Sequence, residues 1–173
     1  MDVLEAIRGR RSVRAFKNED ISGETVDKLL DAACWAPSAG NIQPWEFIIV
    51  KKPEIKARLV EAALDQSFIG EAPVVIVVCA DEDRISQRYG PRGRTLYCIQ
   101  DTAAAVENIH LAAHSLGLGT CWVGAFNEDE TRTILNIPLG TRPIAMIPVG
   151  YADESPSPRS KRPKSQIIHY ETF

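Results

Sequence analysis

Val74-Val75-Ile76-Val77-Val78-Cys79 is a continuous apolar run near the middle of the chain. A run of this kind, without apolar–polar alternation, is typical of a strand that is covered on both faces. We therefore expect a central strand here, with other elements packed against each of its faces.

The elements around this strand follow from shorter patterns. Strands are predicted at Trp45–Val50, Thr120–Ala125 and Pro143–Val149, where β-branched and aromatic residues lie between turn formers. Helices are predicted at Asp2–Gly9, from a cap at Ser22 to a point before Pro37, at Glu54–Leu64, at Tyr97–Leu116 and at Glu128–Leu135. Helices and strands are mixed without strict alternation, which indicates the α+β class.

The helix predicted at Tyr97–Leu116 has an unusual composition. Alanines are interspersed with larger apolar residues, so the helix is apolar around much of its surface. Such a helix must be buried, either in the core of the chain or in a dimer interface.

Composition limits the class of protein. The 173 residues fit a single domain, 1–173, and 45% hydrophobic with 25% charged residues is the balance of a soluble globular protein. The longest apolar segment, Ala72–Ala80, is too short to cross a bilayer, and no signal peptide precedes it. We expect a cytoplasmic protein that is not associated with a membrane.

Charge and cysteine usage narrow the possible partners. The net charge of −3 implies no general attraction to nucleic acid. The four cysteines, Cys34, Cys79, Cys98 and Cys121, are widely spaced in apolar or alanine-rich surroundings. They are expected to be core thiols, not ligands or nucleophiles.

A basic cluster follows the first predicted helix. Arg10, Arg11, Ser12 and Arg14 provide guanidinium groups and a hydroxyl that suit a doubly charged phosphate. The alternative is a solvated basic turn. A second basic cluster, containing Arg159 and Lys161, favours the phosphate site because the chain is otherwise acidic.

The segment Pro37–Trp45 concentrates turn-forming and hydrogen-bonding residues in one loop. Gly40 is able to adopt a positive φ, and Pro44 should hold Gln43 in an extended conformation. The amides of Asn41 and Gln43 complement the alternating carbonyl and N–H edge of a flavin pyrimidine. A plain turn that leads into a strand is an equally good interpretation of the composition alone.

The glycine-rich segment Gly117–Phe126 does not fit a dinucleotide-binding fingerprint. Its glycines follow a helix, whereas GxGxxG follows a strand and opens a helix. We expect Gly117 to end the helix, and the small residues Gly124 and Ala125 to let backbone amides approach a planar ligand.

Other catalytic motifs find little support. His110 and His114 have a spacing compatible with a metal, but no zinc-protease Glu follows His110, so packing or dimer contacts are the favoured interpretation. No GxSxG elbow and no GxxxxGK[ST] loop occurs, which argues against the corresponding hydrolases and NTPases.

Taken together and in order, four segments resemble the FMN-dependent nitroreductase family. They are RRSVRAF at Arg10–Phe16, APSAGNIQPWEF at Ala36–Phe47, GLGTCWVGAF at Gly117–Phe126, and VGY from Val149 with the basic tail behind it. Each motif alone is weak. The set of four spans nearly the whole chain and is specific to the family, though not to a substrate.

The resemblance implies a nitroreductase-like fold, with a mixed β-sheet flanked by helices, in an intertwined homodimer with two FMN sites at the interface. It also implies a C-terminal arm, residues 152–173, that reaches toward the partner subunit. No residue would be catalytic in its own right, because FMN carries the chemistry. No metal is expected.

The resemblance further assigns the residues that would bind FMN. Arg10 would face the phosphate, Arg14 the N1 and C2 carbonyl region of the ring, and Arg11 and Ser12 belong to the same segment. Pro37, Ser38, Asn41 and Gln43 match the loop that the partner chain contributes. The remaining matches are Val123, Gly124 and Ala125 beside flavin N5, and Arg159 with Lys161 as a second phosphate arm.

Two departures from the family pattern concern this site. Many members have an acidic residue where this chain has Gly124, which bears on the substrate side because the contact with FMN is through a main-chain amide. Lys161 replaces the commoner Arg and offers a point charge in place of a fork.

The implied activity is an oxidoreductase in which NADH or NADPH reduces FMN, which then reduces a nitroaromatic, quinone or similar small organic acceptor in a ping-pong cycle through flavin N5. Two alternatives stay open: other flavin chemistry on the same scaffold, such as dehalogenation or flavin fragmentation, and a non-catalytic FMN-binding protein. A third is an α+β domain whose basic clusters bind an acidic partner.

Overall fold

The centre of the fold is a four-stranded sheet. The computed structural model describes residues 1–173. The strands are β1 (Trp45–Val50), β2 (Val74–Asp81), β3 (Gly119–Thr120) and β4 (Thr141–Gly150), in the order β1-β2-β4-β3. The predicted central run lies in β2, where Ile76 pairs with Ile49 of β1 and Ile147 of β4.

All pairs of named strands are antiparallel. Parallel pairing is confined to an isolated bridge between Ser12 and Thr120, which joins the first basic cluster to the sheet. The predicted strand over Thr120–Ala125 is shorter than expected, since β3 ends at Thr120 and only Val123 forms a further bridge, to Met146.

Seven helices surround the sheet. They are α1 (Val3–Gly9), α2 (Gly23–Cys34), α3 (Pro53–Ala62), α4 (Phe68–Glu71), α5 (Glu82–Arg92), α6 (Cys98–Ser115) and α7 (Glu128–Leu135). The α+β class is confirmed. Sequence patterns missed α4 and α5, while the predicted cap at Ser22 accepts a hydrogen bond from the Thr25 N–H at 3.1 Å. None of the helices is long and apolar enough to span a membrane.

The two faces of β2 belong to two hydrophobic cores. Val74, Ile76 and Val78 pack under α2 and α6, whereas Val75 and Val77 pack under α3, α4 and α7. The period-two alternation of side chains in a strand explains this division, and it explains why the run contains no polar residue.

The long helix α6 contributes much of the first core. Ala105, Ile109 and Ala113 are fully buried. One face of this alanine-rich helix is therefore buried in the core, as predicted.

One of the four cysteines departs from the prediction. Cys79, Cys98 and Cys121 are buried, but Cys34 is exposed. It is the last residue of α2, where the core-facing position is taken by Ala33.

The chain beyond Asp153 lies on the surface. It contains one 3-10 turn, Lys164–Gln166, and the apolar side chains of Ile167 and Tyr170 are exposed. The segment Ile167–Tyr170 pairs with no strand of the sheet.

Candidate functional site

Six cations from the two ends of the chain line one cavity. Its volume is about 650 Å³, and no carboxylate belongs to its lining. The lining consists of Ile7, Arg8, Arg10, Arg11, Ser12, Arg14, Pro156, Ser157, Pro158, Arg159 and Lys161. The structure thus joins the two basic clusters that lie almost 150 positions apart in the sequence.

The segment from Arg10 to Arg14 is held by bonds to the body of the protein. The Val13 N–H donates to the Thr120 carbonyl at 2.9 Å, and the Arg14 N–H donates to the carboxylate of Glu154. Because Glu154 precedes the basic tail, this second bond also ties the tail to the segment.

The guanidinium groups of this segment have different surroundings. Arg11 donates to the carbonyls of Arg8 and Arg10 at 2.6 and 2.8 Å, so it caps the end of α1. Arg10 lies 3.7 Å from Glu107, and Arg14 lies 5.9 Å above the ring of Phe68. Arg159 and Lys161 form no ion pair within the chain. Several cations therefore remain available to an anion.

The loop from Pro37 to Pro44 has a strained backbone. Gly40, Asn41 and Gln43 have φ values of 56°, 56° and 54°. The prediction for Gly40 is confirmed, whereas the extended conformation predicted for Gln43 is wrong. Left-handed residues other than glycine are uncommon and concentrate at functional sites, with a cost of about 1–3 kcal/mol each.

Side-chain hydrogen bonds account for the conformation of Gln43. Its N–H donates to the Ser38 hydroxyl at 3.0 Å, and its Nε2 donates to Oδ1 of Asn41 at 2.9 Å. These two bonds outweigh the local preference that Pro44 imposes.

A buried carboxylate anchors the same loop. Both oxygens of Asp101, on α6, lie 3.1 Å from the Ala39 nitrogen, whose N–H they accept. Burial raises the pKa of Asp101, and the bond from Ala39 opposes that shift. The sequence analysis did not predict that Asp101 anchors the loop. The presence of a single Asp in an otherwise alanine-rich, apolar helix could have indicated a buried hydrogen-bond acceptor.

The predicted residues Val123, Gly124 and Ala125 lie beside the sheet. Val123 is buried and exchanges two hydrogen bonds with Met146, at 2.9 and 3.0 Å. Gly124 and Ala125 are exposed residues, and their N–H groups donate to no group in the chain. They are free to donate to a ligand.

Gln66 fixes the carbonyl side of this stretch. Its Nε2 donates to the carbonyl of Ala125 at 3.1 Å and to that of Ala63 at 2.8 Å. Sequence patterns gave no indication of this contact, because the two segments are 59 positions apart.

His110 supports the strand that contacts the basic segment. Its Nδ1 lies 2.7 Å from the Thr120 hydroxyl, its ring stacks on Trp122, and its Nε2 has no hydrogen-bond partner. Burial lowers the pKa of His110 to about 4, and the nearby charge of Arg10 acts in the same direction. No group of three metal-ligating side chains occurs in the structure.

Within one chain, the predicted residues fall into three places. The basic cavity contains Arg10, Arg11, Ser12, Arg14, Arg159 and Lys161. The loop residues Pro37, Ser38, Asn41 and Gln43 lie outside that cavity, and so do Val123, Gly124 and Ala125. A single chain does not bring all thirteen together.

The cavity fits the phosphate end of FMN. A phosphate monoester is doubly charged and binds guanidinium forks through several oxygens, which a lining of six cations without a carboxylate provides. The free amides at Gly124 and Ala125 fit the heteroatom edge of a planar ring.

Comparison with known proteins gives consistent matches. The Nitroreductase family model matches residues 7–67 and 62–151. A protein of Methanothermobacter thermautotrophicus, provisionally named an NADH dehydrogenase/NAD(P)H nitroreductase, is 40% identical over 163 residues, which is 92% of this chain and 82% of that protein. An FMN reductase (NADPH) of Bacillus subtilis is 28% identical over 99% of this chain and 74% of its own length.

A solved structure agrees with the fold. The crystal structure of a Parabacteroides distasonis protein with the same provisional name as the Methanothermobacter relative superimposes with a TM-score of 0.88. It is 32% identical and covers 99% of this chain and 98% of its own.

Proposed function

The chain belongs to the nitroreductase family, and we propose that it passes reducing equivalents from NAD(P)H through FMN to small organic acceptors such as nitroaromatics and quinones. It is an NAD(P)H-dependent oxidoreductase and FMN is its cofactor, in line with the relatives named FMN reductase. The ping-pong order, the hydride route and the acceptor class are parts of the proposal.

One observation carries the assignment of the site. The two basic clusters form a single cavity with six cations and no carboxylate. Ser12 of this cavity forms a bridge to Thr120 of β3, shortly before Gly124 and Ala125 in the chain. A solvated basic turn would not require the N- and C-terminal clusters to come together.

When bound, FMN supplies the chemistry, because its N5 accepts and returns a hydride. The protein binds FMN and orients its ring. We assign Arg10, Arg159 and Lys161 to the phosphate, with Ser12 and Arg11 shaping the same segment. Arg14 provides positive charge beside the ring, and Phe68 supports its guanidinium.

The unbonded N–H groups of Gly124 and Ala125 contact the flavin ring in this proposal. The N–H groups of Gly124 and Ala125 donate to the ring, while the carbonyl of Ala125 accepts a hydrogen bond from Gln66. Since Gly124 has no side chain and is exposed, the position that is acidic in many relatives is open here. We infer that this opening leaves more room for the acceptor.

The loop residues require a second chain. Pro37, Ser38, Asn41 and Gln43 lie outside the basic cavity of their own chain, and we assign them to the FMN of the partner in a homodimer. The arm 152–173, which carries Arg159 and Lys161, is assigned to the same interface, as an extension of the single domain 1–173.

The first experiment is the visible absorbance spectrum of the purified protein, followed by release and identification of the chromophore. We expect about one FMN per chain and steady oxidation of NADH or NADPH with a quinone or nitroaromatic acceptor. Tight FMN binding without turnover would favour a non-catalytic flavin protein. Turnover of only a halogenated acceptor, or fragmentation of the flavin, would favour the other chemistries.

A charge reversal tests the phosphate assignment. Arg10→Glu and Lys161→Glu should each lower FMN affinity by at least about tenfold, because an attractive contact with a dianion becomes repulsive. Lys161 is exposed and unpaired, so its variant should fold normally. Arg58→Glu is the matched control, an exposed arginine of α3 outside the cavity. Full FMN occupancy in both cavity variants would refute the assignment.

A further inference from the structure

A second group of arginines lies beside the strained loop. Arg84 and Arg88, one turn apart on α5, line an open groove whose other lining residues are Asn41, Ile42, Asp81, Asp83 and Gln87. This groove is separate from the basic cavity that we assign to the FMN phosphate.

Neither arginine forms an ion pair. Arg84 uses its Nε to donate to the Ile42 carbonyl at 2.9 Å, which leaves both of its terminal nitrogens free. The guanidinium of Arg88 lies over the ring of Tyr89, 5.5 Å from its centroid, and donates no hydrogen bond. By contrast, Arg94 and Arg142 are paired with carboxylates of their neighbours.

The two carboxylates that line the groove, and the neighbouring Glu82, contact groups other than the side chains of Arg84 and Arg88. Asp81 accepts the N–H of Arg84 as the cap of α5. Glu82 and Asp83 both contact Arg94. Asp81 thus forms no ion pair, and no carboxylate lies within ion-pair distance of Arg84 or Arg88. The terminal nitrogens of both arginines therefore remain able to contact the oxygens of a ligand.

The arginines are held against the loop by close packing. A Cβ atom at Gly40 would lie 3.1 Å from Nη1 of Arg88 and 2.5 Å from the hydroxyl of Tyr89. The loop and α5 are thus in direct contact, so a ligand that reaches the loop also lies near these two arginines.

We propose that Arg84 and Arg88 bind the phosphate groups of the reduced nicotinamide dinucleotide that delivers its hydride to the flavin of the partner subunit. The inference rests on the proposed function, which puts the loop against that flavin. The flavin's own phosphate has its site in the other cavity. The dinucleotide is the reactant that always carries at least two phosphate charges, and two free guanidinium groups match them.

The test separates donors with and without phosphate. Steady-state rates are measured for Arg84→Gln, Arg88→Gln, the double variant and the control Arg58→Gln, with a quinone acceptor. The donors are NADH, NADPH and 1-benzyl-1,4-dihydronicotinamide, which carries the same reactive ring and no phosphate. FMN content is measured on every preparation.

We expect KM for NADH or NADPH to rise about tenfold for each single variant, because each removes a charge-assisted contact. KM for the benzyl donor, KM for the quinone and FMN content should stay at the wild-type values, and Arg58→Gln should change nothing. The rise of KM for NADPH with salt should be weaker in the double variant.

Three outcomes would overturn the proposal. An equal loss with all donors would mean that the arginines support the fold or the flavin. A raised KM for the acceptor alone would assign the groove to an anionic acceptor. If wild-type protein with bound FMN oxidised none of the donors, the proposed function would fail together with this inference, whereas the first two outcomes leave that function intact.

Discussion

Gly40 packs closely against the Arg88 and Tyr89 side chains of α5. Its φ of 56° lies in the left-handed region, and a Cβ atom there would lie 2.5 Å from the hydroxyl of Tyr89. Both features select glycine.

Gly40→Ala should lower the free energy of unfolding by about 1–3 kcal/mol, through backbone strain and the displaced Tyr89 side chain. Urea denaturation measures this difference. Gly23→Ala is the control: it lies at the start of α2 with nothing within 4 Å of an added Cβ, and it should be neutral or stabilising. An equal effect of the two substitutions would contradict the close approach.

The lowered pKa of His110 makes the free energy of unfolding depend on pH. Its pKa is lowered to about 4 in the folded protein, from its usual value of 6.5. Between these two values the unfolded chain binds a proton that the folded chain does not. The free energy of unfolding therefore falls as the pH falls from 6.5 towards 4.

We expect this contribution to be on the order of 3 kcal/mol across the window. His110→Gln removes the titrating group, and denaturation at several pH values should give a flatter profile below pH 6.5 than that of the wild type. Parallel profiles for the two proteins would mean that His110 has the same pKa in the folded and the unfolded chain.

At the scale of elements, α6 orders the loop that follows α2. Its buried Asp101 accepts the Ala39 N–H. In the proposed homodimer, this loop contacts the flavin of the partner subunit. Asp101 is thus a positioning residue, which acts through the loop.

Asp101→Leu leaves the Ala39 N–H without an acceptor, which costs about 1–3 kcal/mol, and FMN affinity should fall about tenfold. Asp101→Asn retains an acceptor oxygen and should stay within about threefold of the wild type. Fluorescence titration of the apoprotein with FMN measures both. Rescue by Asn distinguishes loop positioning from a need for negative charge, because a charge requirement would make the two variants equally weak.

The whole molecule presents an apolar face that a monomer leaves in water. Val3, Leu4 and Ile7 of α1 are 65%, 55% and 52% exposed, and Ile7 also lines the basic cavity. Exposed apolar clusters of this kind mark interaction surfaces. In the proposed homodimer this face is covered by the second chain.

Leu4→Glu should therefore shift the protein from dimer to monomer, since a charge would be buried at the interface. Sedimentation equilibrium measures the mass, and FMN content should fall in parallel because the partner's loop is lost. Leu139→Glu is the control, at a 90%-exposed leucine of the turn before β4. A wild-type monomer with full FMN would contradict the two-chain site.

Much of the architecture follows from local patterns in the sequence. The unbroken apolar run placed β2 at the centre, Trp45–Val50 and Glu128–Leu135 begin and end where predicted, and Ser22 caps α2. These features depend on side-chain periodicity and on hydrogen bonds between close neighbours, which a sequence states directly. The two basic clusters, which the sequence and the family resemblance predict to bind a phosphate, lie in one cavity of the structure. Phosphate binding by these residues stays a prediction.

Other features were decided only by the tertiary structure. The Asp101–Ala39 and Gln66–Ala125 contacts join residues 62 and 59 positions apart, and the pairing of Arg84 and Arg88 with the loop depends on how α5 packs. The backbone conformation of Gln43 was also not predictable from local sequence. Two side-chain hydrogen bonds overcome the preference for an extended backbone that Pro44 imposes on it. Contacts between distant segments form only when the chain closes on itself, so their energies appear in no local pattern.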